Sequence, residues 1–222
     1  MKKLLIFIIC ILFLTLSSCQ KLDVIGNDSI ASFEEMLSYF ENSVSYNHNN
    51  NAFELISPDN STIFSWCANY LSESQNDFSI SVDAKVFLEA GLNESKLPAD
   101  IILKDGRLII GTNLDYLQIS TSELQTPLKA YEIILEKKRY SLSFHFMGEH
   151  YSLKVGDDNS FEWAKDMRSN EMDIVFTLDP QLFVDTDTDL TKIQGWELKI
   201  IHTHSQMTMI ETEKLVKSFN IK

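Results

Sequence analysis

The hydrophobic residues of this chain follow a helical period within its first quarter. From residue 30 to residue 44 they recur every three or four positions, which is the spacing of one face of an α-helix. Ser32 and Glu35 have the spacing of a capping box within this segment. A similar run begins with Ser57 and Pro58, a good N-cap and first-turn pair, and predicts a second helix that reaches residue 71.

Beyond Asn76 the period becomes two, which is the period of a β-strand with one buried face. Residues 78–88 are predicted to form one long strand. Asp105-Gly106 is a dipeptide that a type I′ turn favours, because both central residues must adopt positive φ, so residues 101–110 are predicted to form a hairpin. Further strands are predicted over residues 116–119, 128–135, 140–146, 151–155, 172–178 and 196–200.

Three further segments carry helix signals. Residues 160–167 have the pattern of a short helix, and Asp179-Pro180 is a good start for a helix or turn. Thr208 and Glu211 have capping-box spacing ahead of apolar residues that share one side, which predicts a C-terminal helix. N-terminal helices, a long antiparallel sheet and a C-terminal helix together predict an α+β fold, with the sheet covered by helices or curved into a half-barrel. The sequence contains no evident internal repeat or linker.

The first nineteen residues have the organisation of a secretory signal. Two lysines precede the uncharged apolar run 4–14, which is too short to span a bilayer of about 30 Å. The run is followed by Leu16-Ser17-Ser18-Cys19, and this motif resembles the lipobox of bacterial lipoproteins. The alternative is an ordinary cleaved signal peptide that happens to contain a cysteine.

The resemblance implies that Cys19 receives a lipid and becomes the first residue of the mature protein. Acyl chains contribute about 0.8 kcal/mol per buried methylene, so two or three chains hold a protein stably on a membrane. Together with the fold predicted from the residue pattern, the expected organisation is a signal peptide at 1–18, a lipidated tether at 19–28 and a single α+β domain at 29–222. Gln20 occupies the position where enterobacterial inner-membrane lipoproteins have Asp, which favours the outer membrane, with the domain facing the periplasm or the cell surface.

The charge of the chain limits its partners. The formal net charge is −13, and removal of residues 1–18 takes away two lysines and leaves −15. Such an acidic surface repels nucleic acid and anionic lipid headgroups, so no nucleic-acid partner is expected and contact with the membrane should come from the lipid on Cys19. The folded part then has a protein, glycan or lipid as its unidentified ligand.

Cysteine usage excludes an intramolecular disulfide in the mature chain. Of three cysteines, Cys10 lies in the signal, Cys19 is consumed by the lipid and Cys67 is alone. The periodicity of the apolar residues predicts that Cys67 and Phe40 are buried in a helical layer against the sheet. Cys67 is expected to be a packing residue and not a reactive thiol, because nothing beside it in the sequence would lower the pKa of its thiol.

Two motifs have a partial metal-binding pattern. His202 and His204 would lie on one face of a strand, but they supply only half of a zinc shell. The run Asp185–Asp189 resembles the opening of a calcium loop, yet Leu190 and Trp196 stand where that loop requires Gly and Glu. Strand-end histidines and a solvated acidic loop are therefore predicted, with no metal and no cofactor; His145 and His150 are expected to face each other across a turn.

No enzyme motif is present: the sequence has no Gly-x-Ser-x-Gly, no phosphate-binding loop, no His-Glu-x-x-His and no Cys-x-x-Cys, and no catalytic residue can be named. The sequence is therefore interpreted as a non-enzymatic envelope lipoprotein with a binding or structural role. One alternative is a lipid or lipoprotein carrier with an apolar cavity, by analogy with half-barrel carriers of the outer membrane. The other is a hydrolase whose site is assembled from distant residues.

Overall fold

The computed structural model describes residues 28–68, 76–113, 124–145, 149–167, 172–205 and 208–220. This part of the chain has an α+β fold, as predicted, with twelve strands in two antiparallel sheets of six and with helices at the ends of the sheets. The single long sheet expected from the sequence is thus two sheets.

The elements divide into two consecutive sets. The first set is α1 (28–39), β1 (Val44–Asn47), β2 (Ala52–Ile56), β3 (Thr62–Cys67), β4 (Asn76–Asp83), α2 (Ala84–Glu89), β5 (Ile101–Lys104) and β6 (Arg107–Asn113). The second set is α3 (Pro127–Lys138), β7 (Leu142–His145), β8 (His150–Val155), β9 (Asn159–Ala164), β10 (Ile174–Leu178), α4 (Pro180–Asp185), β11 (Glu197–Ser205) and β12 (Thr208–Phe219). A short 3-10 helix follows each of the four α-helices.

The two sets have the same topology, although no repeat is evident in the sequence. The first sheet has the order β1-β2-β3-β4-β6-β5 and the second has the order β7-β8-β9-β10-β12-β11. The register is repeated as well: Leu55 pairs with Phe64 in the first sheet, and Leu153 pairs with Phe161 in the second. We refer to residues 28–113 as the first half and to residues 124–220 as the second half.

The core lies between the halves and is built from stacked aromatic rings. Three pairs of rings occupy equivalent positions in the two halves and stack on each other across the boundary. They are Phe33 on Tyr131 (3.8 Å between ring centroids), Phe64 on Phe161 (4.0 Å) and Phe87 on Phe183 (4.5 Å). All six side chains are fully buried. Because equivalent residues meet each other, the halves are related by an approximate two-fold axis that passes through the three stacks.

Backbone hydrogen bonds repeat this two-fold relation. Asn93 N–H donates to the carbonyl of Thr186 at 2.8 Å, and Asp189 N–H donates to the carbonyl of Ala90, also at 2.8 Å. Asn93 and Asp189 are the N-caps of equivalent 3-10 helices. The exchange of one bond in each direction fixes α2 and α4 at the same end of the molecule.

Several predicted elements are confirmed. The first helix is α1, and Asp105 and Gly106 have φ of 51° and 74° in the hairpin between β5 and β6, as a type I′ turn requires. Asp179 caps α4, since its side chain accepts a hydrogen bond from Gln181 N–H. The predicted strands 151–155 and 172–178 correspond to β8 and β10. The strand predicted over 78–88 ends at Asp83, whose side chain caps α2.

Four predicted elements are wrong. The second N-terminal helix is strand β3, the helix at 160–167 is strand β9, and the C-terminal helix is strand β12. The segment 128–135, predicted as a strand, belongs to helix α3, where Leu128, Tyr131 and Leu135 recur at three and four positions. Short apolar runs fit both periods, and pairing with neighbouring strands decides the outcome. The predicted strand 116–119 lies outside the described residues.

Phe40 and Cys67 are buried, each with 3% of its surface exposed. The predicted burial is therefore confirmed, but Cys67 lies on strand β3 and not in a helical layer. Its neighbour Trp66 donates from Nε1 to the carbonyl of Pro127 at 2.9 Å, which ties β3 to the start of α3.

An ion pair also joins the halves. Lys217 Nζ on β12 lies 2.8 Å from Asp59 Oδ2, in the turn between β2 and β3, and Lys217 is largely buried over the rings of Trp196 and Phe219. Partial burial raises the pKa of Asp59, but hydrogen bonds from Lys217, Ser61 and Ser57 outweigh this effect and hold that pKa well below its usual range.

We expect Phe161→Ala to lower the free energy of unfolding by about 3 to 5 kcal/mol, because it removes a fully buried ring and its stack with Phe64. Urea unfolding followed by circular dichroism measures the change. Tyr140→Ala is the control, since Tyr140 is 78% exposed, and it should change stability by less than about 0.5 kcal/mol. Equal effects of the two substitutions would contradict a core between the halves.

We expect Asp59→Asn to reduce stability at neutral pH and to flatten its acid dependence. The lowered pKa of Asp59 means that its contribution is present above the ordinary value of 3.8 and is lost as the pH falls through the folded value. Since Asp59 is nearly half exposed, the effect should be about 1 kcal/mol or less. Unfolding free energies from pH 7 to pH 2 should converge for the two proteins at low pH, whereas an identical pH profile would exclude the ion pair as a stabilising contact. Asp100→Asn at an exposed position is the control.

Candidate functional site

Each sheet carries a polar groove on the face that points away from the core. Side chains alternate along a strand, so a sheet that buries one face in the core presents its other face outward. The groove on the second sheet, which we call the second groove, encloses about 250 Å³. The groove on the first sheet, the first groove, encloses about 230 Å³.

The floor of the second groove is a hydrogen-bonded carboxylate. Glu162 on β9 is 7% exposed, and its Oε1 accepts from the hydroxyls of Ser152 (3.1 Å) and Ser160 (3.0 Å). Ser160 and Thr177 share a hydrogen bond of 2.6 Å. A hydroxyl has one proton, so with Ser160 donating to Glu162, Thr177 must donate to Ser160. These bonds offset part of the cost of burying a carboxylate.

Strand pairing brings these residues together. Ser152 lies directly opposite Glu162 in the pairing of β8 with β9, and Ser160 lies directly opposite Thr177 in the pairing of β9 with β10. Opposed residues of antiparallel strands have Cβ atoms about 4.5 to 5.5 Å apart, which is within hydrogen-bonding reach of short polar side chains.

The hairpin of β11 and β12 forms one wall of the second groove. It continues past the end of β10, with paired residues from Lys199–Lys214 to Ser205–Thr208. Ile201 and Thr212, which pair with each other in this hairpin, line the groove. The equivalent hairpin in the first half closes at once through Asp105-Gly106. The wall is therefore a feature of the second groove that the first groove lacks.

Each groove contains a glutamate and a serine that face each other on neighbouring strands, but the strand that carries the glutamate differs between the two halves. In the first half, Glu54 on β2 lies opposite Ser65 on β3. In the second half, Ser152 on β8 lies opposite Glu162 on β9. Each groove thus has one carboxylate and one hydroxyl on the same pair of strands.

A basic side chain closes the same corner of each groove. Arg107 donates to the carbonyls of Ser61 (3.1 Å) and Ser81 (2.6 Å), and Lys214 donates to the carbonyl of Asp158 (2.6 Å). Arg107 and Lys214 are equivalent, because each precedes a leucine at the same register position, which pairs with Val82 on β4 or with Leu178 on β10. Burial lowers the pKa of Arg107, and nearby carboxylates oppose this shift, so the guanidinium remains charged.

For the histidines singled out in the sequence, the structure gives the backbone pairing. His202 and His204 lie on β11, where their backbones pair with Glu211 and Met209, and their side chains lie outside the described residues. The backbone of His150 pairs with that of His145 across the turn from β7 to β8, as predicted. Cys19 also lies outside the described residues.

Two aspartates of the acidic run 185–189 form ion pairs with nearby lysines. Asp187 lies 2.6 Å from Lys96, and Asp189 lies 2.8 Å from Lys192. Hydrogen bonds from Lys192 and Thr191 lower the pKa of Asp189 to about 2, and a hydrogen bond from Lys96 lowers that of Asp187. Within the described ranges, no three His, Cys, Asp or Glu side chains form a group that could hold a metal ion.

The two grooves were not predicted from the sequence. One signal was available: Phe64-Ser65-Trp66 and Phe161-Glu162-Trp163 share the order ring, polar residue, tryptophan. Alignment on these tripeptides would have placed Ser65 and Glu162 at equivalent positions, on the face opposite the two rings.

Comparison with models of known protein families, with curated proteins and with solved structures finds no match for this chain. Among the residues that the structure describes, the helices are all too short or too polar to cross a membrane.

Proposed function

We propose that this protein is a lipoprotein of the bacterial envelope, anchored through Cys19, whose folded part is a non-enzymatic module that binds a hydroxyl-rich ligand, a glycan, in its polar grooves. The anchor is supported by the motif Leu16-Ser17-Ser18-Cys19, and the outer membrane is supported by Gln20. The tether from Cys19 to the start of α1 has nine residues, which limits its reach to about 30 Å from the lipid. The module would therefore work close to the membrane surface.

The observation that carries the glycan proposal is the buried carboxylate at the floor of the second groove. An apolar ligand would cover Glu162 and the hydroxyls around it without offering hydrogen bonds, which is costly. A hydroxyl group both donates and accepts, so a sugar can donate to Glu162 and to the hydroxyl oxygens of Ser152 and Thr177, whose own protons are already donated. It can accept from the ammonium groups of Lys154 and Lys214, which line the same groove.

The mixture of charges in each groove also favours a neutral ligand. The second groove is lined by Lys154 and Lys214 together with Asp157, Asp158 and Glu162. The first groove is lined by both signs as well, namely Lys104, Asp105, Arg107 and Glu54. A strongly charged ligand would be attracted by one set of side chains and repelled by the other.

The two alternative functions, a lipid carrier and a hydrolase, have less support. A carrier needs an apolar space between the sheets, but in the described core Phe64 and Phe161 stack there at 4.0 Å. A hydrolase needs a nucleophile or a general base that can reach its substrate. The described lining of the two grooves includes no histidine or cysteine, and in the second groove the serine hydroxyls are engaged with Glu162, a buried carboxylate that already accepts two hydrogen bonds.

We expect Cys19→Ser to abolish lipid labelling. Cells that express the wild-type chain and are grown with a palmitate analogue should yield a labelled protein in the membrane fraction, because the lipobox directs the lipid to the thiol of Cys19. The variant should be unlabelled and should leave the membrane fraction. Cys67→Ser, which leaves the lipobox intact, is the control and should remain labelled. Labelling of the Cys19→Ser variant would refute the anchor.

We expect the mature chain with Cys19→Ser to bind neutral oligosaccharides on a glycan array, and Glu162→Gln in the same background to weaken binding at the second groove. The substitution keeps the shape but removes the charged acceptor, and a hydrogen bond to a charged group contributes roughly 1.5 to 3 kcal/mol, or about 10-fold to 100-fold in affinity. Microcalorimetry with the best array ligand measures the loss.

Glu94→Gln, in an exposed 3-10 helix that does not line the groove, is the matched control and should bind like the parent chain. Thermal unfolding should show that both variants remain folded. Absence of neutral oligosaccharides among the bound ligands would reject the glycan proposal, and so would equal affinities of Glu162→Gln and Glu94→Gln.

A further inference from the structure

We infer that the protein binds two ligand chains at once, one in each groove, and thereby bridges two strands of the same glycan. This inference rests on the proposed function, because it assumes that the grooves bind a glycan. It goes further by assigning a second site and a bridging role.

The first argument is chemical equivalence. Both grooves have a glutamate and a serine on neighbouring strands, in the pairs Glu54–Ser65 and Ser152–Glu162. The third strand adds a hydroxyl in each case, from Ser81 on β4 or Thr177 on β10. A ligand that meets a carboxylate and hydroxyls on three neighbouring strands of one groove meets a carboxylate and hydroxyls on the equivalent strands of the other, with Ile63 in the first groove at the position of Ser160 in the second.

The second argument is the repeated corner. Arg107 and Lys214 each reach from the last sheet strand of their half to a carbonyl of a β-turn, Ser61 or Asp158. The two turns are equivalent, since one joins β2 to β3 and the other joins β8 to β9. The volumes, about 230 Å³ and about 250 Å³, are also close.

The third argument is direction. The stack of Phe64 on Phe161 shows that the inner faces of the two sheets meet, so the grooves on the outer faces point away from each other. Packed sheets are about 10 Å apart, and the grooves lie beyond both. A short oligosaccharide in one groove cannot reach the other through the core. Two chains are required to fill both sites, and the protein then lies between them.

The two sites should differ in affinity. The hairpin of β11 and β12 adds Ile201 and Thr212 to the second groove, whereas the first groove has no counterpart of this wall. We therefore expect the second groove to bind its ligand molecule more tightly than the first groove does.

Isothermal titration calorimetry of the mature chain with Cys19→Ser tests the inference. Cellohexaose, maltohexaose and chitohexaose serve as probes, and the one bound most tightly is used for stoichiometry. We expect two molecules per chain, with Glu54→Gln removing the weaker site and Glu162→Gln removing the tighter one. Each single variant should bind one molecule, and the double variant should bind neither with measurable heat.

A second measurement reads out bridging. The long polymer of the bound sugar should form large particles with the wild-type module in dynamic light scattering, and either single variant should prevent this. One bound molecule per wild-type chain, lost only in Glu162→Gln, would overturn the inference while leaving the proposed function intact. Binding of none of the three hexasaccharides, together with no neutral oligosaccharide bound on the glycan array, would reject both. Unchanged melting temperatures of the variants ensure that a lost site is not a lost fold.

Discussion

The stacking of equivalent aromatic rings across the boundary between the halves is the interaction on which the rest of this structure depends. The ring planes of Phe64 and Phe161 are 5° apart, so each sheet stacks a phenylalanine ring face to face on the equivalent ring of the other sheet. Such pairs add roughly 0.5 to 1.5 kcal/mol to the burial of the rings themselves. Cys67 is the one cysteine among the described residues, so no disulfide within them joins the halves, and noncovalent contacts such as these stacks hold the halves together.

The same contact determines where the grooves lie. Glu162 stands between Phe161 and Trp163 on β9, and the strand period of two directs it away from the rings that its neighbours bury. Pairing with β8 supplies the donor Ser152, β9 itself supplies the donor Ser160, and pairing with β10 places Thr177 against Ser160. Three consecutive residues thus serve the core and the candidate site together, and the repeated topology produces the same arrangement around Ser65.

Local signals in the sequence were sufficient for some elements and insufficient for others. The Asp105-Gly106 hairpin was predictable because its turn requires positive φ at both residues. Strand β3 and helix α3 were misassigned because apolar runs of six to eight residues fit either period. The shared order of Phe64-Ser65-Trp66 and Phe161-Glu162-Trp163 could have placed Ser65 and Glu162 at equivalent positions, but the grooves themselves need partners such as Ser152 and Glu162, which are ten residues apart and meet only when β8 and β9 pair. The repeat was hidden because the halves share topology and a few rings but little else in sequence.

A double-mutant cycle on the central stack tests this account most directly. Urea unfolding of Phe64→Leu, Phe161→Leu and the double variant gives the coupling free energy between the two rings. If the halves depend on this stack, the loss of unfolding free energy in the double variant should be smaller than the sum of the two single losses by about 0.5 to 1.5 kcal/mol. The reason is that either substitution alone already breaks the ring contact. Losses that add to within about 0.3 kcal/mol would show that the rings stabilise each half separately, and would contradict a core shared across the two-fold axis.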